Sequence, residues 1–538
     1  MDRATAPSPA APRRRGEAAR ALLVAGACAV SACALNQQGV TPPADTFFYP
    51  ASALADSTAS WLFVTNSNAD LRYNDGTLVM VDLNQAKRDR TERGGLVPAV
   101  GGVQETWELC PQEDYVSPLD RGNPQICCWD RLDHSILNCD ERRYVQASAT
   151  VAIGSFAAGM VWQPYCSGRC DMKNMICSPD ANRGRLLIGV RGDTSLTEVD
   201  VDLGKANPFD CGQPAGMTPG ECNAASRIID TTSALVTEAT DQAAPLVPLP
   251  DEPYALALDP QLGLLYVGHL VGNTATIDTG GVSLFDVSSS APLTSDNFIS
   301  PFGSPFPANS AGAFGITALK LHVPLGQSTG GGATQEVFAS SRYIPLVTAM
   351  VPFGNLLHCP GDVTDEVVVP AGDTFNSELV GSEMRGIEFI EPPAAGASTL
   401  PPPAERAYAL QRVPPALVGF AISTNKAGAT SATPTDVLET CSSPTFLYQH
   451  DAGAGSRLFV SCFDTGEVYV FDPTGPTLET IFQAGRGPAG IVFPEADPTI
   501  AYLIGFSDNN VSVLDLAPGS ATQYHVIQRL GFPSVTPR

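Results

Sequence analysis

The sequence predicts an all-β protein assembled from repeated, short antiparallel sheets, and three observations carry that expectation. Among 538 residues, 49 glycines and 46 prolines are enough to interrupt long helices. Hydrophobic residues make up 43% and charged residues 16%, a balance that excludes an acidic disordered chain. One pattern also recurs along the chain: an apolar strand, a loop, a very apolar strand, a polar hairpin and an alternating strand. The formal net charge of −25 argues against nucleic acid as a partner, because neutralising phosphates takes Lys and Arg.

The amino terminus reads as an address rather than as fold. Arg13, Arg14 and Arg15 form a basic stretch, and an apolar run from Ala21 to Ala32 leads to Cys33. That run is too short to span a bilayer, which takes about 20 residues. Val30-Ser31-Ala32-Cys33 resembles a bacterial lipobox. The resemblance implies a lipoprotein signal peptide over 1–32, palmitate and diacylglycerol on Cys33, and a membrane partnership through that lipid anchor. Ala34 in the following position implies sorting to the outer membrane. Cys28 is a weaker lipid site, and an ordinary signal peptide cleaved near Ala32 is the plainer alternative. A flexible tether is expected over 33–47.

The repeats then follow in order. Residues 49–56 lead to Trp61–Asn66 and Thr77–Leu83; Pro253–Asp259 leads to Leu264–His269 and Gly281–Val287. Ser456–Cys462 with Glu467–Asp472, and Thr499–Gly505 with Asn510–Leu516, repeat the pattern with tight hairpins. Fainter copies lie over 185–201, 336–351 and 406–422, and 146–153 and 477–484 read as fourth, outer strands. The continuous apolar second strand and the period-two third strand suit a buried strand beside a half-buried one.

Leu265-Tyr266-Val267, Phe63-Val64-Thr65-Asn66 and Val511-Ser512-Val513-Leu514-Asp515 resemble the bacterial YVTN (YncE-like) family. The resemblance implies a seven-bladed β-propeller over 48–538, with long disulfide-rich insertions at about 84–145, 164–183 and 203–243. It names a fold rather than an activity. Ring closure stays open: 48–56 can serve as the inner strand of the first blade, or the tail around Phe532-Pro533-Ser534 can compete for that place.

Twelve cysteines follow Cys33, and an even number outside the cytosol implies disulfides. Propeller topology places Cys110, Cys127, Cys128, Cys139, Cys166, Cys170, Cys177, Cys211, Cys222 and Cys359 on one face, with pairing unassigned. Cys441 and Cys462 fall on the opposite face and are expected to pair. Adjacent Cys127 and Cys128 need different partners.

Candidate sites are sparse. The spacing Cys166-x3-Cys170-x6-Cys177 does not suit a structural zinc site, and no CxxCH is present for covalent haem. Asn66-x-Asn68-x-Asp70 has calcium-loop spacing, but Leu71 replaces the glycine that such a loop requires. Arg191-Gly192-Asp193 reads as a turn. The six histidines (134, 269, 322, 358, 450 and 525) show no metal-ligand spacing. No metal or cofactor is therefore expected.

The alignment of repeats places Tyr49, Glu252, Phe314, Arg385, Ser443 and Arg486 around the funnel, where Arg385 and Arg486 would suit an anion. The sequence thus predicts a lipid-anchored cell-envelope propeller that acts as a noncatalytic binding or interaction module for an envelope protein or glycan. The alternative is a periplasmic enzyme of lactonase or quinoprotein-dehydrogenase type. A third reading makes the cross-linked insertions the functional surface.

Overall fold

The computed structural model describes residues 40–92, 107–110, 126–166, 179–192, 194–211, 222, 228–230, 235–236, 247–248, 252–260, 263–270, 281–287, 293, 298–301, 315–322, 336–342, 346–353, 356–358, 366–368, 383–390, 405–424 and 430–533. Strand dominates them, arranged as consecutive antiparallel sheets. Sheet 1 holds Pro50–Ala55, Trp61–Asn66, Gly76–Asp82 and Val151–Ile153. Sheet 2 holds Ala157–Cys166, Pro179–Val190 and Ser195–Asp202, with Phe209–Asp210 and Ile228–Asp230 both on its third strand. Sheet 3 holds Pro253–Asp259, Leu264–His269, Val282–Asp286 and Phe298–Pro301. Sheet 4 begins with Ile316–His322, Glu336–Ser341 and Leu346–Phe353, and both Leu356–His358 and Glu366–Val368 pair with its third strand. Sheet 5 holds Met384–Ile390, Glu405–Gln411, Ala416–Thr424 and Thr430–Glu439. Sheet 6 holds Pro444–Asp451, Ser456–Cys462, Glu467–Asp472 and Thr477–Gln483. Sheet 7 holds Pro488–Val492, Ile500–Gly505, Asn510–Asp515 and His525–Leu530.

The first strands pack side by side in chain order, and the first strand of sheet 7 returns to that of sheet 1. This closed arrangement is a β-propeller, and it settles which segment lies innermost at the start of the chain. Pro50–Ala55 is the first strand of sheet 1, while Phe532 and Pro533 follow the last strand of sheet 7.

The second strands are buried on both faces, as their unbroken apolar runs require. All six residues of Leu264–His269 and all of Glu336–Ser341 are buried, each large apolar side chain contributing about 1.5–3 kcal/mol. Aspartates at strand ends build the turns. Asp56 accepts the N–H groups of Ser60 (2.8 Å) and Trp61 (2.7 Å), and Asp451 accepts those of Gly453 and Gly455. Such Asx turns close a hairpin without help from the core.

One expectation about the amino-terminal half is corrected. Residues 40–47 are not a free tether: Val40 bridges to Tyr73, Thr150 Oγ1 donates to Ala44 O at 2.6 Å, and Phe47 is buried in the core of sheets 1 and 7. The insertion after sheet 1 also has regular structure. It opens with helix α1 (Leu83–Glu92) and carries the short strands Cys127–Trp129 and Leu137–Cys139. Leu137–Cys139 pairs in parallel with the last strand of sheet 7 and extends that sheet to six strands.

Candidate ligand site in the central channel

One hydrogen bond recurs at the mouth of the ring. The N–H of the residue that follows each second strand donates to the carbonyl of the residue just before the first strand. The pairs are Ser67 to Tyr49, Arg191 to Phe156, Leu270 to Glu252, Arg342 to Gly315, Arg412 to Glu383, Phe463 to Ser443 and Phe506 to Gly487, at 2.7–3.3 Å. Tyr49, Phe156, Glu252 and Gly487 hold this place with φ of 50–63°. That conformation favours glycine, and a Cβ on Gly487 would strike Ser507. Just inside this frame every first strand carries a bulge, between Pro50 and Ser52, Ala157 and Met160, Pro253 and Ala255, Ile316 and Ala318, Met384 and Gly386, Pro444 and Phe446, and Pro488 and Gly490. A bulge re-aims the side chain of its extra residue, and in sheet 5 that residue is Arg385.

The first strands enclose a cavity of about 680 Å³ on the ring axis, and each of them contributes to its wall. Most of the wall is small or apolar: Ala51, Ala158, Ala255, Ala318 and Ala489 recur around it. Further along the strands, Lys320 and Glu388 form an ion pair at 2.5 Å. Burial pushes the Glu388 carboxyl above the usual range, and Lys320 opposes that shift.

Charge concentrates where sheets 4 and 5 meet the mouth. Glu383 is shared by three guanidinium groups, from Arg385 at 2.7 Å, Arg412 at 3.3 Å and Arg342 at 3.9 Å. Arg412 also donates to Ser443 Oγ at 3.0 Å. A second pair, Arg191 with Glu252 at 2.9 Å, bridges sheets 2 and 3. Other stretches of the wall are aromatic: Phe156 beside sheet 2, Phe446 and Phe463 in and after strands of sheet 6, and Phe506 just after a strand of sheet 7 line the cavity, with Phe463 and Phe506 at 5.7 Å between centroids.

The sequence-derived ring maps unevenly onto this frame. Tyr49, Glu252 and Ser443 occupy frame positions. Phe314 lies outside the described residues, and Gly315 holds its frame place. Arg385 is two residues past the frame position Glu383, and Arg486 is one residue before Gly487. Arg385 lines the cavity, whereas Arg486 pairs with Asp508 at 2.7 Å, is half exposed and is not part of the wall. The anion-binding pair expected from sequence is therefore not assembled. Arg342 and Arg412 are Arg385's neighbours instead, and the signal that locates them is their place directly after a second strand.

The cysteines sort as follows. Cys441 is joined to Cys462, Cys110 to Cys128, Cys127 to Cys139, and Cys211 to Cys222. Cys127 and Cys128 thus take different partners. Cys33, Cys170, Cys177 and Cys359 lie outside the described residues, as does the side chain of Cys166. The histidines are dispersed: His269 contacts Ser283 Oγ at 2.7 Å, His322 stacks on Phe389, and His450 contacts Pro498 O. In the loop considered for calcium, Asn68 Nδ2 donates to Tyr73 O and Ser155 Oγ, so the amide holds its own turn.

No protein-family model matches the chain, and no curated protein sequence is similar to it. Among solved structures, hydrazine synthase from Kuenenia stuttgartiensis is similar at 11% identity and a TM-score of 0.42, over 91% of this chain and 99% of that one. A functionally unknown protein from Desulfotomaculum acetoxidans DSM 771 is similar at 9% identity and a TM-score of 0.40, over 71% of this chain and 91% of that one. A putative 6-phosphogluconolactonase from Bacteroides uniformis ATCC 8492 is similar at 12% identity and a TM-score of 0.40, over 70% of this chain and 98% of that one. These likenesses assign no activity.

Proposed function

We propose that the protein is a lipid-anchored cell-envelope propeller of the YVTN (YncE-like) kind whose central channel binds a ligand without transforming it. Two repetitions support a count of seven blades: seven described sheets have four or more strands, and the hydrogen-bonded frame at the mouth recurs seven times. The observation that carries the binding function is the axial cavity, of a size typical of small-molecule sites. The carboxylate among the described lining residues, Glu388, is engaged by Lys320, which suits holding a ligand better than proton transfer.

The anchor rests on the Val30–Cys33 motif. Cys33→Ser is expected to release the protein from membranes and to abolish palmitate labelling. A mutant that still fractionates with membranes, beside a wild type that takes no label, refutes the anchor. Native mass spectrometry of the purified protein tests the cavity, with a bound small molecule expected in the wild type and lost in Ala318→Trp. A stoichiometric metal or quinone would instead favour the lactonase or quinoprotein-dehydrogenase alternative.

A further inference from the structure

We infer that the channel mouth is a site for an organic anion, a single carboxylate or phosphate carried on a flat apolar body. The inference rests on the reading of the cavity as a ligand site and adds the chemistry of the ligand. The guanidinium groups of Arg385 and Arg412, both in the cavity wall, share the single carboxylate of Glu383 within 3.3 Å, which leaves a positive charge in excess among these three groups in a chain of net charge −25. Like charges at that spacing repel, and a second anion relieves the repulsion.

Two donors on the same stretch of wall have not found acceptors. Arg385 Nε is buried and without a hydrogen-bond partner among the described residues, and so is Ser340 Oγ; both residues line the cavity. A buried donor without an acceptor is costly, and a carboxylate or phosphate oxygen at the mouth meets both the charge and the hydrogen-bond demand. Guanidinium groups suit those two anions geometrically. The rest of the ligand is set by the aromatic part of the wall, where Phe156, Phe446, Phe463 and Phe506 offer ring faces and edges. An ion with no apolar part would leave that part unused, and an apolar molecule with no charge would leave the arginines unanswered.

Glu383 then acts as an internal competitor for its own arginines. This gives the site a signature that a merely structural salt-bridge cluster lacks: removing the carboxylate tightens anion binding.

The test is isothermal titration of the full mature chain with four probes: 2-naphthoate, 2-naphthyl phosphate, 2-naphthylmethanol and inorganic phosphate. At least one aryl anion is expected to bind 10-fold or more tightly than both the alcohol and inorganic phosphate. The preferred aryl anion distinguishes a carboxylate from a phosphate ligand. Arg385→Gln is expected to narrow the anion-to-alcohol preference by at least 10-fold, and Glu383→Gln to raise anion affinity several-fold. Should Glu383→Gln fail to melt cooperatively, Arg412→Gln, expected to weaken the anion, takes its place. The assignment is overturned if the alcohol binds as tightly as both anions, if no probe binds, or if neither arginine variant changes the preference. Tight binding of the alcohol that disappears in Ala318→Trp overturns the anion while sparing the cavity. Anion binding that survives Ala318→Trp overturns both.

Discussion

Arg185→Met is the perturbation that most directly tests how adjacent sheets are held together. The Arg185 side chain is fully buried, and its guanidinium joins sheet 2 to sheet 3. Nε donates to Gln163 Oε1 at 2.6 Å, Nη1 to Glu198 Oε1 at 3.0 Å and Nη2 to Val287 O at 3.0 Å. Glu198 Oε2 accepts the Leu293 N–H at 2.8 Å. Methionine keeps much of the volume and removes the cation, so the Glu198 carboxylate stays buried without its counter-ion. Breaking a buried pair from one side costs about 3–5 kcal/mol. With a urea m-value of about 3 kcal/mol/M, the unfolding midpoint falls by about 1–1.7 M. Adding Glu198→Gln removes the stranded charge and is expected to restore at least about 1 kcal/mol. A single mutant that loses less than about 1 kcal/mol, or a double mutant whose loss equals the sum of the two single losses, refutes the argument.

Two further outcomes are expected from the same denaturation measurements. Replacing both Cys441 and Cys462 with Ala opens a link between residues 21 apart, and loop-closure entropy puts the loss at about 3 kcal/mol; a fall below about 1 kcal/mol refutes it. Burial raises the Glu141 carboxyl from its ordinary 4.5 to about 7. The folded state therefore holds this proton more tightly than the unfolded chain, so the contribution of Glu141 to stability is full below about pH 4.5 and is lost as pH rises towards 7. Glu141→Gln is expected to flatten that decline, and an unchanged pH–stability curve would contradict the assignment.

Much of the strand order was legible because the second strands announce themselves. Leu264–His269 and Ser456–Cys462 are short apolar runs bounded by turn residues, and the structure keeps those limits. Register at the mouth was legible only in part: Tyr49, Glu252 and Ser443 stand at frame positions, whereas Arg385 lies two residues past Glu383 and Arg486 one before Gly487, because the frame residues share no residue type that could fix the count. Arg342 and Arg412 were missed for the same reason. The residues after the second strands are Ser67, Arg191, Leu270, Arg342, Arg412, Phe463 and Phe506, and such variety shows no repeat. Cys127–Trp129 and Leu137–Cys139 are three residues each, too short for a period of two to stand out. Leu137–Cys139 is held by pairing with residues nearly 400 positions away, which no local window contains, and Cys127–Trp129 pairs in turn with Leu137–Cys139.

That distant pairing also dictates how the ring can be completed during synthesis. Among the described residues no sheet draws first-to-fourth strands from both ends of the chain, and backbone hydrogen bonds across the seam come from Leu137–Cys139 lying along Gln528–Leu530. Gly531 N donates to Cys139 O, and Arg529 reaches Asp130 and Asn138. Bringing together points 389 residues apart costs about 5 kcal/mol in chain entropy beyond a constant. The two disulfides that shape the receiving strands, Cys110–Cys128 and Cys127–Cys139, leave that loop unchanged but spare the receiving edge a separate ordering cost. The receiving edge is synthesised long before the strand that pairs with it. A chain without His525–Leu530 keeps nearly every blade yet leaves two open edges, at Asn510–Asp515 and at Leu137–Cys139. That one strand thereby shields two edges at once, and its loss exposes the kind of strand edge that invites aggregation or disposal.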